Sequence, residues 1–176
     1  LIGELASLRK RIAQLEQSES EHRQVEEALR ASENRYYKLF KHMSSGVAIY
    51  EAVENGTDFL IRDFNAAAER MEKIQKEEVL GKRVTEIFPG VIDFGLFPVF
   101  LRVWQTGNPE DHDISFYQDN RISGWRENHV YKLPSGELVA IYDDITDRKR
   151  AEEELQETLE RYRLISENTS DVIWLW

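Results

Sequence analysis

The sequence predicts an α+β core held between two long amphipathic helices. Three observations carry that prediction: apolar residues step by three and four at both ends, alternation in twos takes over in the middle, and Asn-Gly and Pro-Ser-Gly turns separate the alternating stretches. These changes of period divide the chain into a coiled-coil helix at 1–31, a folded domain at 32–148, an exit linker helix at 149–167 and, at 168–176, the truncated start of a second repeat.

The first segment places Leu1, Leu5, Leu8, Ile12 and Leu15 on one seam. After a three-residue phase slip the seam resumes as Ser18, His22, Val25, Leu29, Ser32, Tyr36 and Leu39, several of them polar. A weak parallel two-stranded coil is the reading. Residues 47–53 and 59–65 then read as antiparallel strands joined by Asn55-Gly56-Thr57-Asp58, where Asn-Gly supplies the positive φ of a tight hairpin. Asn65 stands directly before Ala66-Ala67-Ala68-Glu69-Arg70-Met71, so its side chain is placed to cap a helix. A second helix, 97–106, ends at Gly107-Asn108-Pro109. Strands follow at 113–117, 125–133 and 137–145, the last two joined through Pro134-Ser135-Gly136. From Asp147 another helix carries Ala151, Leu155, Thr158 or Leu159, and Tyr162 at seam spacing.

The chain also repeats itself. Tyr37-Lys38-Leu39-Phe40 with Ser44-Ser45-Gly46-Val47 recurs 125 residues later as Tyr162-Arg163-Leu164-Ile165 with Thr169-Ser170-Asp171-Val172. A tandem array explains this, with 172–176 as the first strand of the next copy. Because the sequence starts at Leu1 instead of methionine and stops inside an apolar run, it is read as a piece of a longer protein.

Composition narrows the function. The 33 acidic and 23 basic residues give a net charge of −10, the wrong sign for a generic nucleic-acid or anionic-membrane binder. Most of the excess sits at 43–146, with 18 acidic and ten basic residues against seven and eight in 1–42. The absence of cysteine excludes disulfides, thiolate metal sites, a catalytic thiol and any cofactor tethered through sulfur. No apolar run approaches the ~20 residues of a membrane span, and no signal peptide is evident, so the fragment is expected in the cytoplasm without direct membrane insertion. No nucleophile, metal or phosphate-loop pattern appears, so no catalytic residue is assigned and the fragment is expected not to be an enzyme. Glu110-Asp111-His112-Asp113 is read as a solvated loop and not as a metal cluster; His22, His42 and His129 are read as structural.

Over about residues 32–150 the sequence resembles the PAS sensor family of bacterial and archaeal signalling proteins. The carriers are Gly46-Val47-Ala48-Ile49, Asn65-Ala66-Ala67, Val79-Leu80-Gly81-Lys82, Ile87-Phe88-Pro89 and Asp144-Ile145-Thr146-Asp147-Arg148-Lys149, in this order and spacing. Asn65 and Gly81 are the structural positions among them. The resemblance implies a five-stranded antiparallel sheet with helices over one face. It also implies a sensing or dimerising module, a homodimer through the flanking helices, and a downstream effector in the same polypeptide, a histidine kinase or a diguanylate cyclase. Flavin-adduct members need a cysteine, and a glutamine where this chain has Tyr142; haem members need a histidine in the helix that here spans 97–106. Neither is present. The expected occupant is therefore a small organic molecule, an ion, or nothing.

By the same correspondence Tyr142 faces the helices, with Leu138 and Ala140 beside it. A matching phase on the neighbouring strand turns Arg126, Asn128 and Val130 inward and Trp125, Glu127, His129 and Tyr131 outward. A buried arginine needs an anion. Two readings follow: a pocket of Tyr50, Trp104, Phe116, Arg126, Asn128 and Tyr142 that accepts a carboxylate-bearing ligand, or an ion pair of Arg126 with a core acid such as Asp63. Asp144 and Thr146, at the junction with the exit helix, are the expected signal relay, Thr146 as a helix cap.

Overall fold

The computed structural model describes residues 2–169, which fall into two units, 1–42 and the remainder. The first is one helix, α1 (Ile2–His42), continuous through the phase slip. Its seam side chains Leu15, Val25, Leu29, Tyr36 and Leu39 are all exposed.

The second unit begins with the hairpin β1 (Gly46–Val53) and β2 (Asp58–Phe64). Short helices α2 (Ala66–Glu72), α3 (Lys76–Val79) and α4 (Val84–Ile87) follow, then a 3-10 turn at Pro89–Val91 and the longer α5 (Leu96–Thr106). Strands β3 (Glu110–Gln118), β4 (Ser123–Lys132) and β5 (Leu138–Asp144) complete the sheet before the exit helix α6 (Thr146–Thr169). The spatial order is β2-β1-β5-β4-β3 and every pair is antiparallel, as the resemblance implied. Inward residues of the sheet, among them Ala48, Phe59, Ile61, Val130 and Leu138, pack with Val99, Phe100 and Val103 of α5 in one core. Phe100 meets Tyr50 and Phe59 at ring separations of 4.8 and 5.5 Å.

Local chemistry sets the connections. Glu54, Asn55 and Gly56 all have positive φ (48°, 60° and 85°), which turns β1 tightly into β2. Gly81, also at positive φ (74°), lets its N–H reach the carbonyl of Ile61 (2.8 Å), while Ile61 N–H reaches that of Lys82 (3.0 Å). The loop after α3 thereby pairs along the outer edge of β2. Asn65 does more than cap. Its Oδ1 accepts from Ala68 N (2.9 Å) at the start of α2 and from Val47 N (3.0 Å) in β1, and its Nδ2 donates to Ser45 O (3.0 Å). One buried amide therefore ties the first strand to the first helix.

One expectation about secondary structure fails in this unit. The run Glu110-Asp111-His112-Asp113, read as a solvated loop, is the first half of β3. An edge strand accepts charge because one flank faces water. Two of its three carboxylates are also paired, Glu110 with Arg102 and Asp111 with His129, while His112 Nε2 bonds the Phe94 carbonyl (2.9 Å). Among the described residues no group of three or more histidine, aspartate or glutamate side chains is arranged to hold a metal ion. Nor is any described helix long and apolar enough to cross a membrane. Of the segment read as the start of a second repeat, 168–176, residues 170–176 lie outside the described residues.

Asn65→Ala removes a cap and two further bonds in a buried setting, so it is expected to lower the unfolding free energy by about 2–4 kcal/mol. Asn65→Asp keeps the acceptor and loses the donor; its urea midpoint should fall between those of the other two proteins.

Candidate functional site

Between the sheet and the short helices lies a cavity of about 50 Å³. Its polar side is built by Tyr50, Glu72, Arg126, Asn128 and Tyr142, its apolar side by residues such as Val84, Phe88, Val91 and Leu96. Four of the six residues expected to line a pocket are therefore brought together: Tyr50, Arg126, Asn128 and Tyr142, each less than 8% exposed. The cross-strand register explains this. Asn128 stands opposite Tyr142 and Arg126 opposite Asp144, so strand alternation turns all four to the same face.

Phe116 and Trp104 are placed elsewhere. Pairing of β3 with β4 slips between His112 and Ser115, so that a bulge inserts one residue. Every side chain beyond it changes face. Phe116 lies on the outer face, 48% exposed and edge-on to Trp125 (5.7 Å), while Tyr117 takes the inward place at the cavity. Trp104 is on the face of α5 turned to the β1–β2 turn. There its ring would sit 2.9 Å from a Cβ at Gly56, and it lines a separate, open groove with Glu51 and Glu54.

Arg126 does not pair with Asp63, which bonds Lys76 instead. Its guanidinium, 4% exposed, lies between two other acids: Nη1 contacts Asp144 Oδ2 at 2.7 Å, and Nε faces Glu72 Oε1 at 3.8 Å, too far for a hydrogen bond. Arg126 Nε and Asn128 Nδ2 are buried donors without a hydrogen-bond partner. Glu72 was missed from the sequence. The available signal was its spacing, four residues after the buried Ala68, which sets an acid on the core-facing side of α2.

Burial, the largest influence, pushes the Glu72 carboxyl up to about 7 against the pull of Arg126 and Arg121. Burial together with the charge of Glu72 raises Tyr50 and Tyr142 above the usual phenol range, so both keep their protons. Asp144 moves the other way. Burial disfavours its charge, but bonds from Thr146 and the nearby Arg126 outweigh it and hold the carboxyl below its ordinary range.

At the junction Asp144 Oδ1 accepts from Thr146 N (3.0 Å) and from its hydroxyl, while Thr146 Oγ1 accepts from Trp125 N (2.9 Å). Ile145 N donates to Trp125 O (3.0 Å). Thr146 is thus the first residue of α6, and its hydroxyl is used across the sheet; the acceptor that satisfies the helix start is Asp144. Gly124 makes the room. A Cβ there would lie 2.5 Å from Thr146 Oγ1 and 2.7 Å from Arg126 Nη1.

No family model and no curated protein matches the chain. Solved structures do. A domain of the sensory box sensor histidine kinase/response regulator from Geobacter sulfurreducens is 22% identical with a TM-score of 0.52, over 66% of this chain and 96% of that one. The PAS domain of a protein from Colwellia psychrerythraea is 16% identical, TM-score 0.52, over 65% and 97%. The PAS domain of an HTR-like protein from Haloarcula marismortui is 18% identical, TM-score 0.50, over 70% and 99%. At such identities the likeness is one of architecture: this chain has the PAS fold.

The raised Glu72 has a measurable consequence. Its folded-state value lies above the ordinary 4.5, so its contribution is fully present below about 4.5 and is lost as pH rises through about 7. Stability to urea should fall across that window by on the order of 3 kcal/mol, and Glu72→Gln should flatten the slope.

Proposed function

We propose that this chain is a signal-transduction sensor module in which the state of the cavity is passed through Arg126, Asp144 and Thr146 to the exit helix. The observation that carries this reading is the position of Arg126. Arg126 lines the cavity with its Nε turned to Glu72, and the same guanidinium holds the helix-start carboxylate through Nη1. An occupant that draws Arg126 inward weakens its hold on Asp144, and Asp144 sets where α6 begins. A change in the start or direction of α6 is a sufficient output for a paired helix. Leu155, Leu159 and Tyr162 form an exposed stripe on α6, and α1 carries its own; such stripes fit a cytoplasmic homodimer joined through its flanking helices to an effector in the same polypeptide. A histidine kinase is the favoured effector, in keeping with the resemblance to sensor proteins, and a diguanylate cyclase the alternative.

A relay that binds no ligand is the second reading, and the small size of the cavity favours it. The junction serves both readings alike, since either needs the sheet coupled to α6.

Asp144→Ala removes the acceptor of Thr146 N and the partner of Arg126 while leaving the sheet register to its backbone bonds. Amide exchange in the first turn of α6 is expected to rise at least tenfold with the sheet still protected, and an attached effector should lose regulation. Full regulation by the variant would overturn the proposal. Gly124→Ala is expected to reproduce the same pattern, because the added methyl enters the space between Arg126 and Thr146.

A further inference from the structure

Two buried donors on the cavity wall lack an acceptor, although the Glu72 carboxylate stands on the same wall. Arg126 and Asn128, 4% and 5% exposed, line the cavity, and their Nε and Nδ2 have no hydrogen-bond partner. A buried donor left unmet costs on the order of 1–3 kcal/mol, so an occupant with acceptors is strongly favoured over one without. Volume sets the size: about 50 Å³, at about 10–15 Å³ for each water-sized group, holds only a few non-hydrogen atoms. Away from these donors the wall is hydrocarbon, from Phe88, Val91 and Leu96. An occupant with paired acceptors at one end and a short apolar remainder satisfies all three features.

We infer that the cavity takes a short-chain monocarboxylate of about two to four carbons, its carboxylate accepting from Arg126 Nε and Asn128 Nδ2 and its hydrocarbon end lying against Phe88, Val91 and Leu96. This rests on the sensor reading above and gives its ligand a chemical class. A carboxylate also competes with Asp144 for the same guanidinium, which is the step that would loosen the helix start. Charge adds a second feature. Glu72 is faced by Arg126 on β4, by Arg121 and Asp119 from the β3–β4 connection, by Asp144 on β5, and by the hydroxyls of Tyr50, Tyr117 and Tyr142. Two cations against two anions leave no surplus positive charge for both an ionised Glu72 and a bound carboxylate. Binding is therefore tied to a proton on Glu72, and affinity should fall by up to tenfold per pH unit above about 7.

The test is calorimetric titration of this chain with sodium propionate, propionamide and propylammonium chloride at matched ionic strength, at pH 6 and pH 8. Propionate should bind saturably, no tighter than about the micromolar range for five non-hydrogen atoms, and more weakly at pH 8. Asn128→Leu should weaken it at least tenfold. Should that variant fail to fold, displacement of the Arg126 Nε–H resonance by propionate in the unaltered protein reads the same contact. Equal or tighter binding of propionamide would overturn the carboxylate and leave a ligand-responsive cavity standing. Binding of none of the three, or propionate binding that leaves the Arg126 resonance unmoved, would overturn the inference. Neither result touches the relay, which the exchange behaviour of Asp144→Ala judges without any added ligand.

Discussion

A guanidinium cannot lose its proton, so burying Arg126 obliges the fold to supply negative charge beside it. Everything around the cavity answers that constraint. Glu72 comes from a helix and Asp144 from the end of a strand, which commits α2 and β5 to fixed positions over β4. Removing one partner of a buried ion pair typically costs about 3–5 kcal/mol, because the remaining charge is left without compensation. The stability such a pair adds over an apolar equivalent is small. What it supplies instead is a link between the interior and the helix junction that apolar packing would not make.

Two glycines show how tightly that link is packed. At Gly124 a side chain would occupy the space used by Arg126 and Thr146, and at Gly46 a Cβ would lie 2.7 Å from the ring of Tyr142. Neither position requires left-handed backbone. Both are small because larger neighbours press on them, so the first residue of β1 and the second of β4 are set by groups from β5 and α6.

Much of the fold was legible from period and turn chemistry. Asn55-Gly56 located the first hairpin, Asn65 the start of α2, and the change of period near residues 46 and 146 the limits of the core. Arg126 and Asn128 followed from strand alternation, once Tyr142 was taken as inward. The two misplaced residues have physical explanations. Phe116 lies beyond a one-residue bulge, which leaves no distinct mark in Asp113-Ile114-Ser115 and turns the ring to the outer face. Trp104 lies on a helix face that turned to the hairpin instead of the sheet. Glu72 was overlooked because a carboxylate in a helix is normally solvated; only its spacing from Ala68 betrayed it. Asp63 was the wrong partner for Arg126 because Lys76, at the start of α3, had already neutralised it.

The strand order has a consequence in time. β5 is the last strand to be synthesised, yet it lies at the centre, with β1 on one side and β4 on the other. While the chain is emerging from the ribosome, the β1–β2 and β3–β4 hairpins have no backbone bonds to one another, and the sheet is two separate ribbons. Insertion of residues 138–144 joins them in a single late step of high contact order. Asp144 and Thr146 follow immediately, so the helix that leaves the domain acquires its anchored start only after the strand beneath it has been seated. A growing chain thus completes its sheet before it can present a properly begun α6 to whatever is translated next.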